Sequence, residues 1–358
     1  MKKRVWLPLL CVISITAQAQ YRAEKVMEGL LVPWSVSFLN ESQAFVTERN
    51  GKILLVDLNK RTKTELLQIE DVAAQGQGGL LDIALSPYDP QTFYFTYSKR
   101  TNTGADTTLA IAKFNGDKVT QWNDLLVTTS NSDTSRHFGS RISFIDKHLF
   151  FTVGDRGKRP NGQDLSTHAG SILRLNLDGT VPQDNPFVGV RNARPEIWSY
   201  GHRNPQGLFF DPQTQHLWEI EHGPRGGDEI NLIKKGSNYG WAKTSYGKEY
   251  WGPLDVGESK EAEGIESPAK VYIPSIAPSG LLLYRGDRYP KLNGKLLTGA
   301  LKLTHINVIT IDENQSAIKE ERLLEDLQER IRDIKLSPDG WIYFTTDSGN
   351  IYRLKPDS

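Results

Sequence analysis

The sequence predicts an all-β chain folded as a single six-bladed β-propeller, and three observations carry that prediction. An alternating apolar strand, a turn, an aromatic-rich strand, a Gly-containing turn and another apolar strand recur about six times, at a spacing of roughly 50 to 70 residues. Period-two alternation rich in Val, Ile, Phe and Tyr argues for strands, and Asp-Gly, Asn-Gly and Pro-Asp pairs between them argue for hairpins. Sustained helical periodicity is almost absent, its best stretch being the short Glu320 to Glu329. Units of this kind avoid exposed edges by closing radially, and propellers of about four to eight blades include six. The rival architecture, a pair of β-sandwiches, is disfavoured because the repeat runs through the chain without a linker-like break.

In chain order, the first 19 residues stand apart. Lys2, Lys3 and Arg4, an apolar run from Val5 to Ile15, and Ala17-Gln18-Ala19 read as a secretory signal peptide cleaved before Gln20, so a periplasmic or otherwise exported protein is expected. The apolar run falls short of the roughly 20 residues that span a bilayer, and no later segment reaches that length. The only cysteine is Cys11, which leaves the mature propeller, residues 20–358, to be stabilised by packing, by metal, or by both. Lys and Arg total 43 against 43 Asp and Glu, with no basic cluster in the mature chain, which argues against nucleic acid as a partner.

The repeat units begin near Pro33, Leu80, Arg141, Gln206, Ser279 and Arg332. Loops from all blades of a propeller converge at one end of its channel, so polar residues distant in sequence meet there. Ahead of the third unit stands His137, and Asp155 follows its second strand. A hairpin of this length returns both outer ends to one rim, where a carboxylate on one ring nitrogen fixes the tautomer and leaves the other as a base. Two unrelated turn residues are the alternative. The fourth unit is preceded by Arg203 and Asn204 before Pro205, a planar fork plus an amide that suits an oxygen-rich planar ligand carrying carboxylates; a hydrogen-bonded blade closure would use the same residues.

After that unit's second strand comes Gly223-Pro224, a turn whose successive carbonyls can face a hard cation. Asp228, Glu229 and the carbonyls around Tyr239 and Tyr250 would complete a calcium shell of about six to eight oxygens, in a spacing unlike an EF-hand. From the later units Lys302, Arg330 and Arg332 add positive charge, each in isolation reading as a solvated surface cation. Nothing matches a P-loop, a dinucleotide fingerprint, a zinc motif or a Gly-x-Ser-x-Gly elbow.

With these residues in hand, the chain resembles the soluble pyrroloquinoline-quinone-dependent sugar dehydrogenases, the glucose/sorbosone dehydrogenase family, and within it the periplasmic aldose sugar dehydrogenase branch. The resemblance runs in the family's order through GQGGLLDIALSP from Gly76, the His137 turn, Gly-Asp-x-Gly at Asp155 and GSILRLNLDGTVPQDNPF from Gly170. It continues through the segments around Arg203 and Gly223, SNYGW from Ser237, GALK from Gly299 and RIRD from Arg330.

The resemblance implies that His137 is the general base on the sugar C1 hydroxyl while hydride passes from C1 to the quinone, and that Asp155 orients it. It implies that Gln77 lies near cofactor and substrate, that Arg203 and Asn204 face the reacting end of the quinone, and that Lys302, Arg330 and Arg332 hold its carboxylates. By the same likeness the carbonyls of Gly223 and Pro224 bind a catalytic calcium, and Glu229, Tyr239 and Tyr250 a structural one. The implied partners are an aldose sugar and an external electron acceptor, quinone or cytochrome, with the protein a monomer or homodimer.

Three departures bear on the substrate. Arg136 stands where glucose-specific members carry an acidic residue, His222 stands where they carry glutamine, and a cysteine pair near the substrate mouth is absent. These agree with the aldose branch. Two other classes compete: a calcium-dependent lactonase-like hydrolase, which needs no cationic cofactor cradle, and a non-enzymatic sugar-binding propeller.

Overall fold

The structure is a computed structural model that describes residues 20–357; the expected signal peptide falls outside them. Among the described residues 24 strands form six four-stranded antiparallel sheets, with three short 3-10 turns and no α-helix. The inner strands of the six blades are Pro33–Phe38, Leu80–Leu85, Ile142–Ile145, Pro205–Asp211, Pro278–Leu283 and Ile331–Leu336. Each starts within one residue of a repeat unit read from the sequence. Neighbouring inner strands touch around the ring, and the sixth meets the first.

The chain closes the ring with its two ends. Tyr21–Met27 pairs with Ile351–Pro356, Tyr21 opposite Pro356, so the sixth blade takes three strands from the C-terminal end and its outer strand from the N-terminal end. Between blades the core is aromatic and aliphatic. Phe45 of the first blade lies 4.7 Å from Phe93 of the second, ring centre to ring centre, and both are fully buried. Burial on that scale stabilises by about 1.5–3 kcal/mol per side chain.

Two features prepare the channel. In five blades the inner strand slips register against its neighbour within its first residues: Pro33/Ser35, Leu80/Ile83, Pro205/Gly207, Pro278/Leu281 and Ile331/Asp333. Such bulges bend a strand and re-aim its side chains at a barrel rim. Gly207 shows the closeness this demands, since a Cβ there would meet Ser279 O at 2.7 Å and Leu281 Cβ at 2.6 Å. Deeper in, Arg141 crosses the axis. Its guanidinium reaches Asp82 at 3.1 Å and Asp333 at 2.9 Å, donates to the carbonyls of Gln206 and Arg332, and stacks 4.2 Å from the Trp34 ring. One buried cation thus ties five blades together and plugs the channel at the level of the bulges.

The stretch Glu320 to Glu329, the nearest the sequence comes to helical periodicity, lies in the edge strand Ala317–Leu323 and a 3-10 turn, Glu325–Leu327. Its charges pair off, Glu321 with Lys295 of its own blade at 2.9 Å and Glu320 with Lys270 of the fourth blade at 2.7 Å, and charged residues are what an exposed edge carries. No helix among the described residues is long and apolar enough to cross a membrane.

Candidate active site

Above the Arg141 plug, at the bulged ends of the inner strands, lies a cavity of about 340 Å³. That is at the lower end of the ~300–1,000 Å³ range of small-molecule sites. Its walls include Gln77, Asn204, His222, Arg330, Arg332 and Asp347. Four of the residues singled out for the cofactor, Gln77, Asn204, Arg330 and Arg332, from three different blade connections, therefore line one space.

His137 and Asp155 meet. The imidazole Nδ1 lies 2.6 Å from Asp155 Oδ1, and both side chains are buried. Two further donors hold the carboxylate: the Trp241 indole N–H reaches Oδ2 at 2.6 Å, and the Gly157 N–H reaches Oδ1 at 2.7 Å. His137 adopts a left-handed backbone, φ 54°, which its own N–H supports by donating to Gln77 Oε1 at 2.8 Å. Opposite it Gly154 is required, because a Cβ would sit 2.3 Å from the His137 carbonyl oxygen.

Burial pushes the His137 pKa below the usual imidazole value; the Asp155 hydrogen bond and charge oppose this, and Arg203 and Arg136 add to it. Burial alone would raise Asp155, but the hydrogen bond and charge of His137, the Arg203 charge and the Gly157 N–H hold it below the usual carboxylate range. The pair is therefore a neutral imidazole donating Nδ1–H to a carboxylate. Nε2 has no protein partner among the described residues, and its lone pair is available as a base.

Arg203 lies behind this dyad, its guanidinium 5.2 Å from the centre of the Trp241 ring. Its Nη1 donates to the carbonyls of His222 at 2.9 Å and Gly223 at 2.7 Å. Asn204 accepts from Gly139 N–H and from the Gln206 amide. The backbone of this pair is fixed by Glu221, whose Oε2 accepts from Arg203 N at 2.6 Å and Asn204 N at 3.3 Å. His222 donates Nε2–H to Pro278 O at 2.6 Å, and burial holds its pKa down at about 3.

On the far wall Asp347 bridges the two arginines, accepting from Arg330 at 2.9 Å and from Arg332 at 2.8 and 3.0 Å. Arg330 Nη2 and Arg332 Nη1 make no hydrogen bond within the described residues. Lys302 is exposed, beside the cavity-lining Leu301.

The residues expected at calcium divide. The Gly223 carbonyl already accepts from Arg203, and the Pro224 carbonyl accepts from Ser275 Oγ at 3.0 Å, leaving each a second lone pair. Glu229 and Tyr239 border one small cavity. Tyr250 does not border that cavity; it is 68 % exposed, in the surface loop pinned by the Lys248 pairings with Arg225 and Asp255. Around Glu229 acidity is concentrated. Burial pushes Glu219 and Glu229 well above the usual carboxylate value, with Glu221 adding to both. Burial raises Glu221 to about 8 against the opposing Arg203 and Asn204 N–H groups, and Asp228 to about 6.

Sequence reading did not single out Trp241, Glu221 or Asp347 as site residues. The signal for Trp241 was present, since a tryptophan ending a polar turn needs a partner for its N–H.

The closed six-blade ring with a cationic, polar channel mouth belongs to the propeller oxidoreductases, and comparison with known proteins agrees. Residues 30–353 match the family model described as Glucose / Sorbosone dehydrogenase, and the chain belongs to that family. It is 37 % identical over 361 residues to aldose sugar dehydrogenase YliI of Escherichia coli, covering 98 % of this chain and 97 % of that protein. The crystal structure of the soluble aldose sugar dehydrogenase from Escherichia coli in the apo-form superposes with a TM-score of 0.90 at 35 % identity, covering 94 % of this chain and all of that one. The PQQ-bound form of aldose sugar dehydrogenase from Streptomyces coelicolor gives a TM-score of 0.77 at 26 % identity, covering 95 % and 99 %.

Proposed function

We propose that the chain is an exported quinoprotein that oxidises the C1 hydroxyl of aldose sugars to lactones and passes the electrons to an external acceptor. The observation that carries this reading is the His137–Asp155 dyad, with a free imidazole nitrogen, beside a cavity walled by two guanidinium groups.

The donor set suits pyrroloquinoline quinone. Arg330 and Arg332 each keep N–H groups for carboxylates, Gln77 and Asn204 present amides, and Lys302 stands beside the same wall. Gly223 and Pro224 offer calcium two hard carbonyl oxygens, and the rest of its shell would come from cofactor and water. When bound, the quinone supplies the hydride acceptor and calcium a Lewis acid. Everything else falls to the chain. Asp155 holds Nδ1–H, so His137 Nε2 takes the hydroxyl proton as the C1–H bond breaks. Arg203 adds positive charge where charge develops on the acceptor. A calcium-dependent hydrolase has no use for the paired arginines.

The test is reconstitution. Protein given pyrroloquinoline quinone and calcium is expected to reduce an artificial dye with aldoses, and H137A to bind cofactor yet lose turnover. Cofactor binding without activity on a broad sugar panel would overturn the substrate; wild-type turnover in H137A would overturn the base.

A further inference from the structure

We propose that His202, Glu219 and Glu221 form a buried site for a divalent first-row transition-metal cation between the third and fourth blades. A ring nitrogen of His202 and one carboxylate oxygen from each glutamate lie within 4.8 Å of one another, and the three side chains are at most 4 % exposed. The fold places them so for simple reasons. Glu219 and Glu221 are two apart on the strand His216–Glu221 and share a face. His202 stands in the turn leading into the adjacent inner strand, Pro205–Asp211.

A second, independent observation points to a ligand. His202 Nδ1, Glu219 Oε1 and Asn231 Oδ1 are sealed from solvent and have no hydrogen-bond partner among the described residues. Buried polar atoms are nearly always satisfied, so three orphans in one cluster mark something that binds there. The imidazole is prepared as a ligand. Its Nε2 lies 2.9 Å from Ser199 Oγ, the outer contact that fixes a metal-binding tautomer, and its ring stacks on Tyr239 at 4.6 Å. Neither glutamate has an ion pair with any Lys or Arg among the described residues. Glu219 accepts from the Asn231 amide at 3.1 Å, and Glu221 only from backbone N–H groups of Arg203 and Asn204. Two buried carboxylates without a countercharge must take up either protons or a cation.

The nitrogen ligand selects the metal. Imidazole with carboxylates suits manganese, iron or zinc, whereas calcium and magnesium take oxygen alone. Glu229, expected at a structural calcium, is not part of the triad and opens instead on the small cavity beside Tyr239 and Glu261. Since Glu221 also holds the backbone of Arg203 and Asn204, cation occupancy fixes the segment that faces the main cavity.

The site is tested without cofactor or sugar, so its failure is separable from that of the redox reading. Full-length protein is stripped by chelator, saturated with Ca²⁺ and titrated with Mn²⁺ under electron paramagnetic resonance. One Mn²⁺ per chain with nitrogen hyperfine coupling, bound at least ten-fold more weakly by E219Q, is expected. Mn²⁺ displaced by the calcium, a spectrum without nitrogen coupling, or equal affinity in E219Q would overturn the site. If E219Q does not fold, the coupling in the wild-type protein decides alone.

Discussion

Replacing Trp241 with phenylalanine removes one atom group from the dyad and leaves the aromatic surface in place. The lost contact is the indole N–H to Asp155 Oδ2 at 2.6 Å, a bond between two buried groups. A hydrogen bond to a charged group contributes about 1.5–3 kcal/mol net, and each pKa unit corresponds to about 1.36 kcal/mol. Asp155, now held below the usual carboxylate range, would therefore move upward on losing a donor to its ionised form. His137 needs that carboxylate ionised. Turnover is expected to fall about 10- to 100-fold, and its acid limb to move to higher pH. The assay is steady-state dye reduction by W241F and wild type across the pH range, with urea unfolding of both. W241F with wild-type turnover and an unmoved acid limb would refute the claim that the indole positions Asp155, whatever its effect on stability.

Other variants probe the rest of the site. His222, at about 3 when folded against about 6.5 unfolded, stabilises the protein only above pH 6.5 and loses that contribution as pH falls. H222Q is thus expected to gain about 1–2 kcal/mol on the wild type between pH 6.5 and 5, the lower figure allowing for the cavity His222 lines; parallel unfolding curves would contradict this. R332A should weaken quinone binding about 10- to 100-fold by spectral titration, and unchanged affinity would remove Arg332 from the cradle. G154A drives a Cβ to 2.3 Å from the His137 carbonyl oxygen and should destabilise by about 1–3 kcal/mol in urea unfolding; a neutral result would mean that the turn relaxes freely.

The blades were legible because each repeats one local pattern, and the inner strand at Leu80 or Pro278 is recognisable without knowing its neighbours. The cavity wall was legible only as scattered residues. Arg203, Arg330 and Arg332 carry no mutual spacing that predicts a shared space, and the family likeness, not periodicity, grouped them. Asp347 illustrates the limit. Its importance is that it lies between two guanidinium groups 15 and 17 residues away, a fact of turn geometry rather than of composition. The stretch Glu320 to Glu329 was hard to read for the opposite reason, since a charged edge strand has no apolar face by which to reveal its period.

The clasp between Tyr21–Met27 and Ile351–Pro356 sets the order in which the molecule can be assembled and taken apart. Its six residue pairs join positions more than 320 apart, so this ladder closes a loop that is almost the entire chain. Blades one to five can form as the polypeptide lengthens, each from a continuous segment, while the sixth waits for the last strand to be made. Disassembly follows the same seam in reverse. A foreign segment fused at either terminus sits beside the one joint that no continuous stretch of chain protects.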